Sequence, residues 1–277
     1  NDDNEIDETE AQAVINLSVV SLNISDLTGI EACTNIVTLY VSDNQLSSLD
    51  LSNNLALTKL YVGNNQLTTI DLSANTSLEL IYANMNNLTS IDLSNLASLK
   101  SLSIEENDLT SIQLPETTTL TQLGLENNQL TSVDFTGIEN IKYLDLTGNS
   151  LSSIDVSPVT ALETLILNSN NFSDLTLAGN SNFINLRIRD NPLESLDISA
   201  LTNLKYLTLV NTDILSIDLT QNINLQGLTI SNGNLESLDI SQNTKLEEVY
   251  IDKNNLSDLD FSTNTAVIEL DASGNPM

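Results

Sequence analysis

Aliphatic residues recur along this chain on a fixed grid. The pattern LxxLxLxxNxL begins at Ile36, Leu57, Leu78, Leu99, Leu120, Ile141, Leu162, Phe183, Leu204, Leu225, Leu246 and Val267, eleven successive intervals of 21 residues. One earlier unit starts at Val14, after an interval of 22. A period of this length marks a stack of similar coils. Within a unit, Leu57-Thr-Lys-Leu60-Tyr-Val62 is followed by Leu67-Thr-Thr-Ile70-Asp-Leu72, so both halves read as short strands with inward aliphatics. Side chains alternate along a strand, which turns the middle residue of LxL outward. Stacking sets each strand about 4.8 Å from its copy, in parallel sheets whose inward side chains are buried. Residues 14–277 are expected to form one solenoid behind an acidic flank, 1–13. Nothing between the strands has a helical period, so the side opposite the main sheet is expected to hold only short strands and turns.

The ninth position of the pattern is polar. It is Asn in ten of twelve units: Asn44, Asn65, Asn86, Asn107, Asn128, Asn149, Asn170, Asn191, Asn254 and Asn275. A buried amide both donates and accepts, so this column is expected to stack into a ladder that satisfies inward backbone groups. Thr212 and Gly233 interrupt it in adjacent units, which predicts a looser stretch there.

The longer motif LxxLxLxxNxLxxLDLSxN, carried by Leu57 through Asn75, resembles the 21-residue class of bacterial leucine-rich repeats. That class occurs in internalin-type adhesins and in Bacteroidetes surface proteins exported by the type IX route. The segment Ile24-Ser-Asp-Leu-Thr-Gly-Ile-Glu-Ala-Cys-Thr-Asn-Ile36 is similar to their opening repeat. The resemblance implies a right-handed leucine-rich-repeat solenoid of the α/β class, mostly β in content, with a parallel sheet on its concave face, short strands and turns on its convex face, and little helix. It also implies a secreted or cell-surface position on the outer face of a bacterium and a non-enzymatic binding or adhesion role. The expected partner is a protein or glycan on a cell surface or in the matrix. Some relatives carry cysteine at the sixth position; here Val41, Val62 and Ile104 stand there.

Charge narrows the partners. There are 38 acids against eight bases, a formal net charge of −30, so phosphate backbones and anionic lipid surfaces are repelled. Nucleic acid and direct membrane insertion are not expected, and no apolar run nears the ~20 residues that span a bilayer. The acidity fits a cation-rich exterior or serves solubility alone. The single cysteine, Cys33, is expected to be a buried small apolar residue. No leader is visible, so the chain reads as cytosolic or as having lost one, and its last repeat is incomplete.

Candidate binding residues follow from register. The outward residue of each first strand reads Tyr40, Tyr61, Tyr82, Ser103, Gly124, Asp145, Ile166, Arg187, Thr208, Thr229, Tyr250 and Asp271, with Tyr143 and Tyr206 two residues earlier in their units. Tyrosine joins a broad apolar face to a polar tip and is enriched where proteins meet partners, although cross-strand pairing that stiffens the sheet also accounts for the stripe. Arg187 and Arg189 form the one guanidinium pair, suited to a partner carboxylate or to a local bridge with Asp190 or Glu163. On the second strand runs a column of Asp50, Asp71, Asp92, Asp134, Asp155, Asp197, Asp218, Asp239 and Asp260, with Gln113 and Thr176 as exceptions. These carboxylates are expected to accept backbone N–H groups in Asx turns, with cation binding as the alternative. Hydroxyl pairs beside them, such as Thr68-Thr69, cover a solvated turn or form an ice-binding array.

The acidic start resembles the latter part of an EF-hand calcium loop, with Asn1, Asp3, Asp7 and Glu10 offering side-chain oxygens and Glu5 a backbone carbonyl. A disordered acidic leader is the other reading. No cofactor is required, and Ca²⁺ is the one ion the pattern suggests. The absence of histidine removes imidazole catalysis and His–metal sites, and no Gly-rich phosphate loop is present. The sequence therefore reads as a binding module, with a structural spacer as its rival and an ice-binding solenoid as a minor one.

Overall fold

Each inward Leu or Ile of the grid needs a neighbour above and below, and the fold supplies them by stacking copies of one coil. The computed structural model describes residues 7–177 and 182–277. The chain divides into two compact units, Asn1–Ile138 and Glu139–Met277.

In the first unit lie β1 (Asn16–Ser18), β2 (Thr38–Tyr40), β3 (Lys59–Tyr61), β4 (Leu80–Tyr82), β5 (Ser90–Asp92), β6 (Ser101–Ser103), β7 (Ser111–Gln113) and β8 (Gln122–Gly124). Strands β1, β2, β3, β4, β6 and β8 pair in that order, all parallel, and from β2 on each register offset is one 21-residue coil. The central residues Leu39, Leu60, Ile81 and Leu102 are buried. In the second unit lie β9 (Tyr143–Asp145), β10 (Thr164–Ile166), β11 (Asp174–Thr176), β12 (Asn185–Arg189), β13 (Ser195–Asp197), β14 (Tyr206–Val210), β15 (Gly227–Ser231), β16 (Glu248–Tyr250) and β17 (Glu269–Asp271). There β9, β10, β12, β14, β15, β16 and β17 form the parallel sheet. Helix is confined, among the described residues, to α1 (Glu8–Ala13) and a 3₁₀ turn at Ile30–Ala32.

The second halves depart from the strand expectation. Among the described residues they form strands only as the pairs β5–β7 and β11–β13. Each pair contains one of the two positions where the Asp column is broken: Asp92 faces Gln113, and Thr176 faces Asp197. Like charges directly opposite one another destabilise a ladder, so strand pairing appears where a neutral residue separates two acids.

The asparagine ladder forms as expected. Asn65 accepts from the Leu46 N–H at 3.0 Å and donates to the carbonyls of Val41 and Val62, both at 3.0 Å. Asn86, Asn107, Asn128, Asn170, Asn191 and Asn254 repeat the same acceptor geometry one coil at a time. The gap at Thr212 and Gly233 does not loosen the structure. Strands β12, β14 and β15 are five residues long there, and backbone pairing continues through Asn211 N–H to Ser231 and Gly233 N–H to Lys253. The same backbone bonds run through the coils that keep the ladder, as from Asn64 N–H to Asn84 and Asn65 N–H to Met85, so the strand pairing does not depend on the amide column. Gly233 is small because a Cβ would lie 2.9 Å from the Thr212 carbonyl.

A second buried amide column lies on the opposite edge of the coil. Asn54, Asn75, Asn222, Asn243 and Asn264 are buried, and each donates through Nδ2 to two carbonyls of the preceding coil region. The Oδ1 atoms of Asn54, Asn75, Asn222 and Asn243 have no donor. Leu96, Ile138, Val159 and Leu201 occupy the same register position elsewhere and are also buried. An amide and an aliphatic side chain thus serve the same slot.

Each first strand ends in a turn whose residue before the ladder position is left-handed: Asp43, Asn64, Met85, Glu106, Asn127, Ser169, Asp190, Asn211, Asn232 and Lys253 have φ between 52° and 58°. Gly148 and Gly274 fill the same place. Asn and Asp tolerate this region and link side chains along it, as Asn64 does to Asp43 at 2.7 Å. Methionine has no such compensation. Met85→Asn is expected to raise unfolding stability by about 1 kcal/mol, read from the urea midpoint.

Cys33 is half-buried rather than buried, because it follows the 3₁₀ turn and sits at its exit with φ −81° and ψ 58°. Burial, and then the nearby Glu31, push its thiol pKa up.

Candidate functional site

The outward face of the first-strand sheets carries two columns per coil. In the first unit the third strand residues Tyr40, Tyr61 and Tyr82 stand in direct register. Their rings stack at centroid separations of 4.6 and 5.2 Å, with interplanar angles of 16° and 5°. Burial pushes the Tyr61 phenol up in pKa, and the flanking Tyr40 and Tyr82 add to the shift. Stacking hides the ring faces against one another and leaves edges and hydroxyls outward. Ser18 flanks the stack on one side and Ser103 on the other. Beyond Ser103 the column reaches Gly124, where a Cβ would fall 1.7 Å from Glu105 Oε1. The Glu105 carboxylate, which also accepts from the Ser103 hydroxyl, fills the space a side chain would take.

In the second unit the first outward column reads Tyr143, Thr164, Asn185, Tyr206, Gly227, Glu248 and Glu269. The next reads Asp145, Ile166, Arg187, Thr208, Thr229, Tyr250 and Asp271. A depression of about 290 Å³ opens on this face, lined by Asn185, Arg187, Tyr206, Thr208, Gly227, Thr229, Glu248 and Tyr250 among others. Gly227 sits at its floor, and the Tyr206 ring leans over it so closely that a Cβ would lie 2.9 Å from Cδ1. The Tyr206 hydroxyl donates to Gln226 Oε1 at 3.3 Å. Tyr250 donates to Glu269, which pushes its phenol pKa up to about 12.

Of the residues expected to bind, Arg187, Tyr206 and Tyr250 therefore converge, and Tyr40, Tyr61 and Tyr82 form a separate stack. Tyr143 is exposed, its hydroxyl 3.4 Å from Asp145 Oδ2. Arg189 is exposed outside the lining of the depression. The local bridges considered for the two arginines do not form: Glu163 pairs with Lys142 at 2.7 Å, and Asp190 accepts from Asn211 at 2.5 Å. Among the described residues, no acid lies within 4.0 Å of either guanidinium. Ile166, which the alternation turns outward, is only 5% exposed, flanked in register by Asp145 and Arg187.

Sequence reasoning passed over Thr208, Gly227, Thr229 and Glu248 as parts of one site. The signal was present in Gly227, a glycine in a strand position whose neighbours in register are Tyr206 and Glu248.

The acidic column behaves as Asx turns. Asp50, Asp71, Asp92, Asp134, Asp155, Asp197, Asp218, Asp239 and Asp260 each accept the N–H of the residue two positions on, at 2.7–3.0 Å. A larger groove of about 660 Å³ beside this column is lined by Asp174, Glu194, Asp197, Asp213 and Asp218, and it repels anions. At the N-terminus, Asn1, Asp3 and Glu5 lie outside the described residues. Asp7 and Glu10 cap α1 reciprocally: Asp7 Oδ1 accepts from the Glu10 N–H at 2.9 Å, and Glu10 Oε2 from the Asp7 N–H at 3.2 Å. Among the described residues no group of three acids or cysteines is placed to hold a metal ion, and no helix is long and apolar enough to cross a membrane.

No protein-family profile matches the chain, and no curated protein sequence does. Solved structures do. The functional domain of InlJ from Listeria monocytogenes, which includes a cysteine ladder, is 26% identical with a TM-score of 0.58, over 95% of this chain and 68% of that one. The leucine-rich-repeat protein LIC12759 of Leptospira interrogans is 22% identical with a TM-score of 0.66, over 97% and 92%. A chain of the LRIM1/APL1C complex is 21% identical with a TM-score of 0.74, over 92% of this chain and 56% of that one. The fold is that of the leucine-rich-repeat solenoid, as the grid of aliphatic positions implied.

Proposed function

We propose that this chain is a non-enzymatic binding module, secreted or held at a bacterial surface, that takes a protein partner on the outward face of its first-strand sheets. The observation that carries this reading is the outward tyrosine stack Tyr40–Tyr61–Tyr82, exposed at Tyr40 and half-buried at Tyr61 and Tyr82. Sheet stiffening alone needs only cross-strand contact, which β-branched residues provide without an exposed aromatic surface. Tyrosine edges and hydroxyls in a row offer apolar area with hydrogen-bonding tips at small entropic cost, a composition typical of protein contact surfaces. A glycan would stack on ring faces, and here the internal faces are covered by one another. The similarity to InlJ supports an exterior location, and the similarity to a chain of the LRIM1/APL1C complex supports assembly with protein. The ice-binding reading loses ground because, among the described residues, the second halves form strands only as two isolated pairs.

The test is an array of surface proteins and glycans probed with the chain and with its Tyr40→Ala, Tyr61→Ala, Tyr82→Ala triple variant, with and without calcium. Retention on protein spots is expected to fall by about tenfold or more in the variant, since central aromatic residues carry most interface energy. Equal retention by both proteins would place the contact surface away from the tyrosine stack and overturn this reading of it, and no retention by either would favour the spacer reading.

A further inference from the structure

The depression over Gly227 differs in character from the tyrosine stack. Its walls carry opposite charge. On one side stands Arg187, whose neighbours in register are Ile166 and Thr208, both uncharged. On the other stand Glu248 and Tyr250, two strands beyond Thr208. Between them the floor is Gly227 with the hydroxyl-bearing Thr208 and Thr229. From β12 to β16 there are three strand spacings, roughly 14 Å, which is room for one extended side chain lying across the strands.

A guanidinium with no acid beside it among the described residues is unexpected on a chain of 38 acids and eight bases. The neighbours of Arg187 in register are uncharged, and the next outward residue on its own strand is a second cation, Arg189. The guanidinium presents a planar fork of donors matched to a carboxylate. The Tyr250 hydroxyl donates to Glu269, on the side of the notch away from Arg187.

We propose that this notch receives an acidic side chain of a protein partner, with the carboxylate bridged by Arg187 and the aliphatic stem laid over Gly227 between Tyr206 and Tyr250. Glu248 sets the direction of entry by repelling the carboxylate from its own end. A carboxylate fits better than a phosphate group, because one negative charge meets less repulsion from a surface of net −30 than nearly two do. The site rests on the binding-face reading in general but not on the tyrosine stack, which lies in the other unit.

The experiment is a titration of the full ¹⁵N-labelled chain with the peptide acetyl-Gly-Gly-Glu-Gly-Gly-amide and, separately, with its Gln counterpart. Amide signals of Thr208, Gly227 and Thr229 are expected to shift with the Glu peptide and to stay in place with the Gln peptide. Arg187→Gln is expected to abolish the response, and Arg187→Lys to weaken it about threefold or more by losing the bidentate fork. Arg189→Gln is expected to leave it unchanged, and so is the triple tyrosine variant. The folded state of each variant is read from the remaining signals of the same spectrum. Equal shifts with both peptides, no shift with either, an undiminished response in Arg187→Gln, or tighter binding of inorganic phosphate than of the Glu peptide would each overturn the assignment. Loss of the notch response with partner capture intact would remove this site alone; loss of partner capture on tyrosine substitution would leave it standing.

Discussion

Replacing Asn65 with leucine is expected to destabilise the fold by roughly 3 kcal/mol, whereas the same change at Asn75 should cost about 1 kcal/mol or less. Both side chains are buried asparagines, so burial and residue type do not separate them. Their partners do. Asn65 Oδ1 is the acceptor for the buried Leu46 N–H, and leucine would leave that donor without water or protein to meet it. Asn75 accepts nothing through Oδ1 and donates only to the Leu51 and Asn54 carbonyls. Each of those carbonyls keeps a backbone donor, from Asn54 and Leu57 respectively. Leucine would also remove a buried oxygen that has no donor, and Leu96 already fills the equivalent slot. Urea unfolding of the two variants checks the contrast; equal losses would show that the ladder's special role has been misassigned.

Acid is expected to unfold the protein through its Asx turns. The carboxyls of Asp71, Asp92, Asp134 and Asp218 are held below the ordinary 3.8, first by the side-chain hydroxyl and then by the backbone N–H of the residue two positions on. For Asp50, Asp197, Asp239 and Asp260 the backbone N–H leads, and a neighbouring Asp of the column pulls the other way. A pKa that is lower folded than unfolded means that the folded state prefers the ionised group. The resulting stability is fully present above the unfolded value near 3.8 and is lost as pH falls through the lower folded values. Each group is exposed and contributes little alone, but the effect repeats coil after coil and has one sign. The melting temperature is expected to fall steeply below pH ~4. Asp218→Asn, which keeps the acceptor and removes the charge, should flatten that limb; an unchanged slope in variants carrying several such substitutions would count against the mechanism.

Much of the architecture was legible because one physical demand recurs every 21 residues. Inward Leu and Ile positions set the register, and Asn44 through Asn128 announced the ladder by standing polar in an apolar row. The second amide column was not read, although Asn75 closes the very motif that identified the repeat. Its slot is shared with Leu96 and Ile138, so it lacks the constancy that periodic reasoning detects. The looser stretch expected at Thr212 and Gly233 failed for a related reason: the missing side chain was counted, and the backbone's capacity to extend the strand was not. The tyrosine stack followed from register alone. The notch over Gly227 did not, because it is defined by a side chain that is absent and by neighbours drawn from four coils.

The strict coil-to-coil register carries a consequence for how such a chain changes length. Losing or gaining one residue inside a strand would turn its buried aliphatics to solvent and its outward residues to the core. Removing or duplicating a whole coil within either unit keeps every inward position matched to its neighbours. Viable lengths are therefore quantised, and recombination between copies can lengthen the module while dealing two fresh outward residues to the sheet with each added turn.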